Sequence, residues 1–218
     1  MAVPLFPPVE QADPDGLLAL GGDLSVSSLL HAYRNGIFPW PIAEELLAWF
    51  APPERAVLFL DEFHLSRRFQ RTRKSVPFTV RIDTNFRSVV ERCAELKNRG
   101  IQDGTWITEQ IIEAYCALFN AGYCHSFETY LNGELVGGVY GVQIGQFFAA
   151  ESAFYRSSGA SMAAMCELVN YLKQNGVTWC DCQILTPFSE GLGARLLPRE
   201  QFMQLLRSSL PNGDLQGP

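Results

Sequence analysis

The dipeptide Asn132-Gly133, which separates two runs of strand-forming residues, is the strongest local constraint on how this chain folds. Asn-Gly readily adopts the two positive φ angles of a tight hairpin turn, so residues 124–131 and 134–142 are expected to pair as antiparallel strands. A third strand-forming run, residues 146–155, follows after a short loop that contains one glycine. The sequence therefore predicts an antiparallel meander of three strands.

Helical and strand-forming patterns on both sides of this meander complete the expected order of elements. They are a strand over 78–82, helices capped by Thr84 and Thr108, a helix over 160–174, a strand over 177–184 and a helix with Pro198 at its first position. The order β-α-α-β-β-β-α-β-α resembles that of the GNAT acyltransferases, in which the fourth and fifth strands run parallel and splay apart to receive an acyl donor. We therefore expect an α+β fold with a mixed, mostly antiparallel sheet.

The first 60 residues differ in composition from the rest, because they are rich in Pro, Gly and Trp. One helix is expected there, over 25–35, with Ser25 as its N-cap and Gly36 at its end. We predict a small N-terminal domain over residues 1–60 and a GNAT-like transferase domain over residues 61–218. A chain of 218 residues, 47% of them apolar, is long enough to bury a sizeable core.

The charged residues are distributed unevenly along the chain. Between Arg67 and Arg99, ten Lys and Arg residues stand against three acids, a local charge of +7, while the remaining residues carry −13. A basic segment on an acidic protein predicts a surface for a polyanion. The alternative explanation is a solvated helix face, which any run of charged residues can form.

No targeting signal, metal site or disulfide pattern is evident in the sequence. Residues 1–25 lack a basic region followed by an apolar one, and no run of about 18 apolar residues occurs, so we expect a cytoplasmic protein. The six cysteines lie in apolar stretches, which favours free buried thiols. Cys180 and Cys182 have no second pair and no histidine cluster to complete a zinc site, and the three histidines are expected to be structural.

Three polar residues in the strand-forming runs are the candidates for chemistry. Asp181 and Gln183 alternate with two cysteines, so they are expected to share one face of a strand. Glu151 is a lone carboxylate in a run of aromatic and small residues. If their two strands are the splayed pair, all three side chains converge on an acidic cleft that can receive an amine. Two alternatives stay open: a satisfied structural network or an edge strand for Asp181 and Gln183, and an arginine partner for Glu151.

Two further motifs have more than one interpretation. Residues 156–161 are similar to the pyrophosphate loop of coenzyme A acyltransferases, but the match is short and ends in Ser161. Trp40, Trp49 and Trp106 lie outside the expected regular elements, where tryptophans either fill the core or stack on nucleotide bases. Composition alone favours neither role.

Six segments, in order and spanning nearly the whole chain, are similar to the leucyl/phenylalanyl-tRNA–protein transferase family. They are residues 16–24 (GLLALGGDL), 33–40 (YRNGIFPW), 104–108 (GTWIT), 134–141 (ELVGGVYG), 151–152 (ES) and 181–183 (DCQ). That family moves Leu or Phe from aminoacyl-tRNA to the N-terminal Lys or Arg of a protein, which marks the protein for degradation. The resemblance implies a small N-terminal domain joined to a GNAT-like domain. We expect no cofactor, and a monomer that does not bind membranes.

For the donor end, the resemblance implies that Trp40 and Trp106 hold the 3′-terminal adenosine of the tRNA. Tyr33 and Tyr115 would line the entrance to the site. The basic segment would hold the acceptor arm of the tRNA, through Arg67, Arg68, Arg71, Arg73 and Lys74.

For the acceptor, the resemblance implies that Glu151 and Asp181 meet the N-terminal end of the acceptor protein, and that Gln183 lies beside the reacting carbonyl. An aminoacyl ester is already activated, so the enzyme mainly aligns a neutral amine and stabilises the developing oxyanion. We therefore expect Gln183, polarised by Asp181, to orient the amine and accept a hydrogen bond from it. Glu151 is expected to fix the cationic acceptor.

The chain departs from the family's usual pattern around the cleft. Ala153 and Met162 replace a Met and a Lys, and the family's Asn, His and Ser are replaced by Thr186, Phe188 and Gly191. We expect a donor pocket, lined by Val139 and Ala153, that has more room and prefers Phe to Leu. Two alternative functions stay open: an acyl-CoA-dependent N-acetyltransferase, which residues 156–161 favour, and an inactive tRNA-binding relative.

Overall fold

The computed structural model describes residues 6–42, 46–95, 98–99, 102–103 and 105–211. Its helices are α1 (Val26–Arg34), α2 (Arg67–Ser75), α3 (Phe86–Ala94), α4 (Glu109–Asn120), α5 (Ala160–Gln174), α6 (Pro187–Glu190) and α7 (Arg199–Ser209), besides a 3₁₀ turn at Val9–Gln11. Its strands are β1 (Leu17–Leu20), β2 (Phe38–Pro39), β3 (Ala48–Phe50), β4 (Glu54–Phe59), β5 (Thr79–Ile82), β6 (Asn98–Arg99), β7 (Gln102–Asp103), β8 (Cys124–Leu131), β9 (Glu134–Ile144), β10 (Phe147–Tyr155), β11 (Trp179–Gln183) and β12 (Arg195–Pro198).

A seven-stranded sheet in the order β12-β4-β11-β10-β9-β8-β5 forms the centre of the fold. Every neighbouring pair in it is antiparallel except β10 and β11, which run parallel. These two strands share a single register pair, Ala149 with Asp181, so they separate beyond it. The expected α+β fold, with a mixed and mostly antiparallel sheet that contains one splayed parallel pair, is confirmed.

The meander predicted from Asn132-Gly133 is confirmed as strands β8, β9 and β10. Both turn residues have positive φ, 54° at Asn132 and 85° at Gly133. The turn therefore has the backbone that only residues tolerant of the left-handed region adopt readily. Strand β9 continues two residues further than expected, to Ile144.

Four helix starts were predicted from a capping residue or a proline, and two of them are confirmed. Ser25 and Thr108 cap α1 and α4 as expected, because each side chain accepts a backbone N–H bond in the first turn. The expected cap at Thr84 is wrong: α3 begins after Asn85, and the Thr84 hydroxyl instead donates to the Glu128 carboxylate at 2.8 Å. Pro198 is likewise not the first residue of α7.

Strands β4 and β12 of the large sheet were not expected from the sequence. Strand β12 ends at Pro198, which pairs with Glu54 at the edge of the sheet and so leaves α7 to begin at Arg199. Strand β4 lies between β11 and β12. The chain thus enters the large sheet at Glu54, inside the range 1–60 that we predicted as a separate domain, while β1, β3 and β2 form a small sheet of their own. The division into two domains stays a prediction.

Apolar side chains form two main clusters, which we name by their helices. The α4 cluster joins residues of α1, α3, α4 and α7 to strand residues, among them Tyr33, Phe86, Tyr115, Phe154 and Phe202. The α5 cluster lies beneath α5 and contains Phe127, Val139, Phe148, Leu168 and Cys180. The α4 cluster includes residues from the N-terminal segment and from the large sheet, so these two parts share one core.

None of the six cysteines, all of which lie in the described ranges, forms a disulfide, and four of them are buried. Within the described ranges, no group of three His, Cys, Asp or Glu side chains is arranged to hold a metal ion. No helix among the described residues is long and apolar enough to cross a bilayer.

Candidate active site

Glu151 and Gln183 meet across the gap where β10 and β11 separate. The Gln183 side chain donates from Nε2 to Glu151 Oε1 at 2.7 Å, and both residues are buried. Of the three side chains expected to converge on an acidic cleft, Glu151 and Gln183 are therefore in direct contact.

A bulge in β10 places Glu151 in the cleft. Ala150 pairs with Gly141 and Ser152 with Tyr140, so Glu151 is the extra residue between two register pairs. An extra residue bends a strand and redirects its side chain. Glu151 is thereby turned to the side of the α4 cluster, where it meets a tyrosine of α4.

A chain of hydroxyls reaches Glu151 from two helices. Tyr115 of α4 donates to Glu151 Oε2 at 3.1 Å, and the hydroxyls of Tyr33 and Tyr115 are 2.5 Å apart. Both tyrosines are completely buried. Burial and the nearby Glu151 charge hold the pKa of both tyrosines well above the usual value, so they remain protonated donors. The two tyrosines were expected to line the entrance to the site, and the structure instead places both of them in the protein interior, in contact with Glu151 through the Tyr115 hydroxyl.

The Glu151 carboxyl titrates near neutral pH. Burial raises its pKa from 4.5 to about 7, and the negative charge of Asp181 also raises it. The hydrogen bonds from Tyr33, Gln183 and Tyr115 favour the ionised form and lower the pKa. A group whose pKa is close to the working pH can both accept and return a proton.

Asp181 has a different environment from the one expected. Its carboxylate is fully buried and forms a two-point ion pair with Arg55, in which Nε donates to Oδ1 at 2.9 Å and Nη2 to Oδ2 at 2.7 Å. The main-chain N–H of Gln183 donates to Oδ1 at 2.8 Å. Asp181 thus binds the main chain of Gln183 and not its amide side chain, which corrects the expectation that it polarises that amide.

The arginine partner that we considered for Glu151 belongs to Asp181 instead. Strand β11 is central in the sheet, so the edge-strand alternative is wrong, and the satisfied network describes Asp181 correctly. Both carboxylate oxygens of Asp181 already accept hydrogen bonds from Arg55, so Asp181 is poorly placed to bind an amine of an acceptor.

The backbone at Gln183 breaks the alternation on which the sequence argument relied. Asp181 pairs with Val57 and Gln183 with Ala56, so Cys182 is the extra residue in β11. Gln183 itself has φ of 57°, in the left-handed region that residues other than glycine rarely adopt. A bulge and an unusual dihedral angle, and not simple alternation, direct its side chain to Glu151.

Arg55 is the site residue that sequence reasoning missed. It lies in β4, in the segment that we had assigned to a separate domain, and it is only 2% exposed. The signal was present: a single arginine opens the apolar run 56–60. A buried cation in such a run requires a carboxylate partner, although the sequence does not say which one.

The tryptophans have distinct roles. Trp49 is buried and donates from Nε1 to the Gly21 carbonyl at 2.8 Å, so it fills the core. Trp40 and Trp106 stack on one another, with ring centroids 5.2 Å apart and planes inclined by 19°. Trp40 is the more exposed of the two.

A surface pocket of about 680 Å³ opens near this stack. Pro41, next to Trp40, and Thr108, two residues after Trp106, are among its lining residues. Its carboxylates belong to Asp23, Glu109 and Glu113. An acidic lining repels phosphate groups, so the pocket suits an uncharged group better than a phosphate.

The two residues expected to line the donor pocket pack away from Glu151. Ala153 and Val139 are register partners on β10 and β9, so they are neighbours in the sheet. Both pack with the α5 cluster, whereas Glu151 contacts Tyr115 of the α4 cluster. A donor side chain next to them would therefore lie beneath α5.

The basic segment is concentrated on α2. Arg67 and Arg71 are exposed there, and the side chains of Arg68, Arg73 and Lys74 lie outside the described residues. Elsewhere in the segment, Arg87 pairs with Glu113 and Arg92 with Glu95, each at 2.7 Å. These ion pairs reduce the charge that the part of the segment after α2 offers to a polyanion.

The residues that suggested a pyrophosphate loop are partly committed to other contacts. Arg156 forms an ion pair with Glu95 at 2.6 Å. Gly159, with φ of 88°, is the N-cap of α5. The cation of this loop is thus paired with a carboxylate.

The departures at the cleft rim have local structural consequences. Thr186 caps the short helix α6 and forms a reciprocal capping box with Ser189. Phe188, on that helix, and Ile184, directly after Gln183, are large apolar residues that are 41% and 49% exposed. The rim beside the cleft is therefore apolar.

Comparisons with known proteins identify one family. A family model described as leucyl/phenylalanyl-tRNA protein transferase matches residues 57–207, and the N-terminal domain of the same family matches residues 22–53. A leucyl/phenylalanyl-tRNA–protein transferase of Chromobacterium violaceum is 46% identical over 95% of this chain and 89% of its own. One from Syntrophus aciditrophicus is 48% identical over 98% of this chain and 89% of its own.

Among solved structures, FemX has a related fold. It aligns with a TM-score of 0.53 and 11% identity, over 82% of this chain and 70% of its own. At this identity the likeness concerns the fold alone.

Proposed function

The chain belongs to the leucyl/phenylalanyl-tRNA–protein transferase family and is an aminoacyltransferase, and on this basis we propose that its Glu151–Gln183 cleft transfers Leu or Phe to the N-terminal Lys or Arg of a protein. The observation that carries the proposal is the buried hydrogen bond of 2.7 Å between these two side chains. It joins a carboxyl group that titrates near pH 7 to an amide that can orient an amine.

The reaction needs a neutral amine next to an activated ester. An N-terminal α-ammonium has a pKa of about 7.7 to 8.0, so most of it is protonated at pH 7. Ionised Glu151 attracts this cation and takes one proton from it. The free electron pair of the nitrogen then attacks the ester carbonyl. The nitrogen loses its second proton to the terminal ribose oxygen of the tRNA as the C–O bond breaks, and Glu151 later releases the first proton to water.

Gln183 orients the attacking amine. Its Nε2 group is used by Glu151, and its amide oxygen is an acceptor for an N–H of the amine. A carboxamide is too weak a base to remove the proton itself, so Glu151 is the proton acceptor of the pair. The hydroxyl of Tyr115 stabilises the ionised form of Glu151.

The terminal adenosine stacks on the outside of the Trp40–Trp106 pair. The two rings already contact one another, so a base inserted between them would force them apart. A base on the outer face keeps that contact and adds a second one. The neighbouring acidic pocket has room for an uncharged nucleoside, while the tRNA phosphates remain outside it.

The acceptor arm of the tRNA lies along α2, where Arg67 and Arg71 are exposed. This leaves the acidic remainder of the surface to repel nucleic acid and to attract acceptors with basic N-terminal residues. The product carries a hydrophobic N-terminal residue, which marks a protein for degradation. We place the protein in the cytoplasm, as a monomer, where it meets charged tRNA.

A label-transfer assay tests this function. The protein is mixed with radiolabelled Leu-tRNA, Phe-tRNA or acetyl-CoA and a peptide that begins with Arg, and label in the peptide is counted. An N-acetylated copy of the same peptide is the control, because it has no free α-amine. We expect label from both charged tRNAs in the free peptide only. Transfer from acetyl-CoA alone contradicts the proposal, and transfer from no donor favours an inactive tRNA-binding protein.

A further inference from the structure

We propose that Arg55 is a positioning residue for the transfer reaction, because it orients the carboxylate of Asp181 and through it the main chain of Gln183. This inference rests on the proposed role of Gln183. Arg55 lies in β4, and its described contacts are with Gly36, Phe38, Asp181 and Phe202, none of which belongs to the basic segment. It acts on the chemistry only through the residues that it holds.

The ion pair between Arg55 and Asp181 has a specific geometry. Two donors of one planar guanidinium contact the two oxygens of Asp181, at 2.9 and 2.7 Å. A two-point contact of this kind fixes the direction of a carboxylate as well as neutralising its charge. A lysine at this position has one compact ammonium and cannot reproduce both contacts with the same geometry.

Asp181 in turn binds the main chain of Gln183. Oδ1 of Asp181 accepts from Arg55 Nε and also from the main-chain N–H of Gln183, at 2.8 Å. That N–H belongs to a residue with φ of 57°. A residue other than glycine keeps this conformation only where its surroundings stabilise it. The hydrogen bond to a fixed carboxylate oxygen supplies such stabilisation.

The main-chain conformation of Gln183 determines where its side-chain amide lies. With its backbone in this conformation, Gln183 directs its amide across the splayed strands to Glu151. A carboxylate free to rotate would release the Gln183 N–H, and the amide would then lose its direction. Arg55, Asp181, Gln183 and Glu151 thus form one connected series of contacts, each of 2.7 to 2.9 Å.

The same guanidinium also holds the other wall of the cleft. Its Nη1 donates to the Gly36 carbonyl at 3.1 Å, just after the helix that carries Tyr33. Its plane lies over the rings of Phe38 and Phe202, with the central carbon 4.5 and 4.7 Å from their centroids. Arg55 therefore connects the α1 side of the site to the β11 side.

Gly36 packs closely against α7. It has φ of 72°, and a Cβ at this position would lie 2.6 Å from the sulfur of Met203 and 3.1 Å from the Phe202 ring. A residue with a Cβ would be strained at this φ and would have to displace the Met203 side chain. Backbone conformation and packing therefore both favour glycine at the carbonyl that Arg55 binds.

Loss of a buried arginine also destabilises a protein, so the test must separate positioning from stability. Arg199 provides the matched control. It is a half-buried arginine that directly follows β12, and its guanidinium donates to the carbonyls of Pro52 and Val9. It has no contact with Asp181, Gln183 or Glu151 among the described interactions. Its replacement reports the cost of removing a hydrogen-bonded guanidinium from a position outside the cleft.

The experiment compares Arg55→Lys, Asp181→Asn, Gln183→Ala and Arg199→Lys, together with the double variant Arg55→Lys/Gln183→Ala. Each is assayed for kcat and for the KM of aminoacyl-tRNA, at a temperature where circular dichroism shows it folded. We expect Arg55→Lys to lower kcat by about 100-fold, the loss typical of a misplaced reacting group. The KM should change by less than about threefold, because the surface proposed for tRNA is on α2.

The double variant gives the readout that a structural role would not produce. If Arg55 acts through Gln183, adding Arg55→Lys to Gln183→Ala should lower kcat by less than about threefold further. Asp181→Asn keeps the shape of the side chain, and the double variant Asp181→Asn/Gln183→Ala should show the same non-additivity, so this pair is used if Arg55→Lys does not fold. Arg199→Lys should retain kcat.

Three results would overturn the inference. They are a kcat within threefold of the wild type in folded Arg55→Lys, losses that multiply in the double variant, and an equal loss in Arg199→Lys. Wild-type transfer to the peptide that begins with Arg is measured first. Its absence overturns the proposed acceptor, and with it this inference, whereas wild-type transfer with an unaffected Arg55→Lys overturns the inference alone.

Discussion

Tyr115 and Glu151, which come from a helix and from a strand of the central sheet, are joined by a hydrogen bond of 3.1 Å inside the protein. The tyrosine is completely buried and remains a donor, because burial holds its pKa well above the usual value. The carboxyl group that it binds has a pKa of about 7. Small changes around this pair should therefore alter the protonation of the cleft at physiological pH.

The first prediction concerns the pH dependence of activity. Burial raises the pKa of Glu151 to about 7, so the carboxylate that accepts the amine's proton forms as the pH rises through 7. We expect kcat/KM to rise with a midpoint near pH 7, and we expect Glu151→Gln to move this midpoint up towards the pKa of the acceptor amine, about 7.7 to 8.0. Transfer rates measured from pH 6 to beyond pH 8 with one charged tRNA check this. An unchanged profile in Glu151→Gln would assign the titration to another group.

The Glu151 carboxyl also affects the stability of the fold. Its contribution to stability decreases as the pH rises, whereas its contribution to activity increases. The folded protein binds the Glu151 proton up to about pH 7, whereas the unfolded chain releases it near pH 4.5. Stability from this group is present below pH 4.5 and decreases between these two values, by about 3 kcal/mol in total. Urea unfolding at pH 5 and pH 8 should show a smaller difference in Glu151→Gln than in the wild type.

The third prediction concerns Tyr115→Phe. This change removes a donor that favours ionised Glu151, so the pKa of Glu151 should rise further. Activity at pH 7 should fall and recover in part at pH 8.5. Tyr171→Phe is the control, since the Tyr171 hydroxyl contacts His125 and no residue of the cleft. A pH profile that moves equally in both variants would contradict this prediction.

The fourth prediction concerns the backbone at Gln183. Its φ of 57° is unfavourable for alanine and acceptable for glycine, so Gln183→Gly should be about 1 kcal/mol more stable than Gln183→Ala. Both variants lack the amide and should lose transfer activity to a similar extent. Urea unfolding measures the first comparison and single-turnover transfer the second. Equal stability of the two variants would indicate that the main chain relaxes when the amide is removed.

The fold was most predictable where contacts are local in sequence. The Asn132-Gly133 turn and the caps at Ser25 and Thr108 involve residues at most four positions apart, and each was found as expected. Strand β4 was missed because its partners, β11 and β12, follow more than a hundred residues later. The six residues of β4, which follow two prolines, contain no pattern that identifies its partner strands.

The sequence predicted which polar residues belong to the candidate site, but not how their side chains are arranged. Glu151, Asp181 and Gln183 were identified as polar residues in strands that should be apolar, and the contacts of Gln183 bring them together. The bulges that aim Glu151 and Gln183 depend on register, which alternation does not reveal. The Arg55–Asp181 pair spans 126 residues, so only the folded chain shows which carboxylate the arginine neutralises.

The fifth prediction concerns the basic segment. Arg67 and Arg71 are exposed on α2, so changing both to Ala should weaken tRNA binding and reduce the slope of log K against log[salt] by about 2. Lys173→Ala with Arg207→Ala removes the same charge from other exposed positions and should leave that slope nearly unchanged. Filter binding between 50 and 200 mM salt measures both. Equal slopes for the two double variants would show that the tRNA lies elsewhere.

The last prediction concerns the donor side chain. Ala153 packs with Val139 in the α5 cluster, and a Met at this position would add about three heavy atoms to that space. A filled methylene is worth about 0.8 kcal/mol, so the wild type should favour Phe over Leu by about tenfold more than Ala153→Met does. Ala94→Met adds the same atoms to the α4 cluster and should leave the ratio of kcat/KM for Phe-tRNA and Leu-tRNA unchanged. A ratio that Ala153→Met leaves unaltered, or moves towards Phe, would show that the donor side chain does not lie beneath α5.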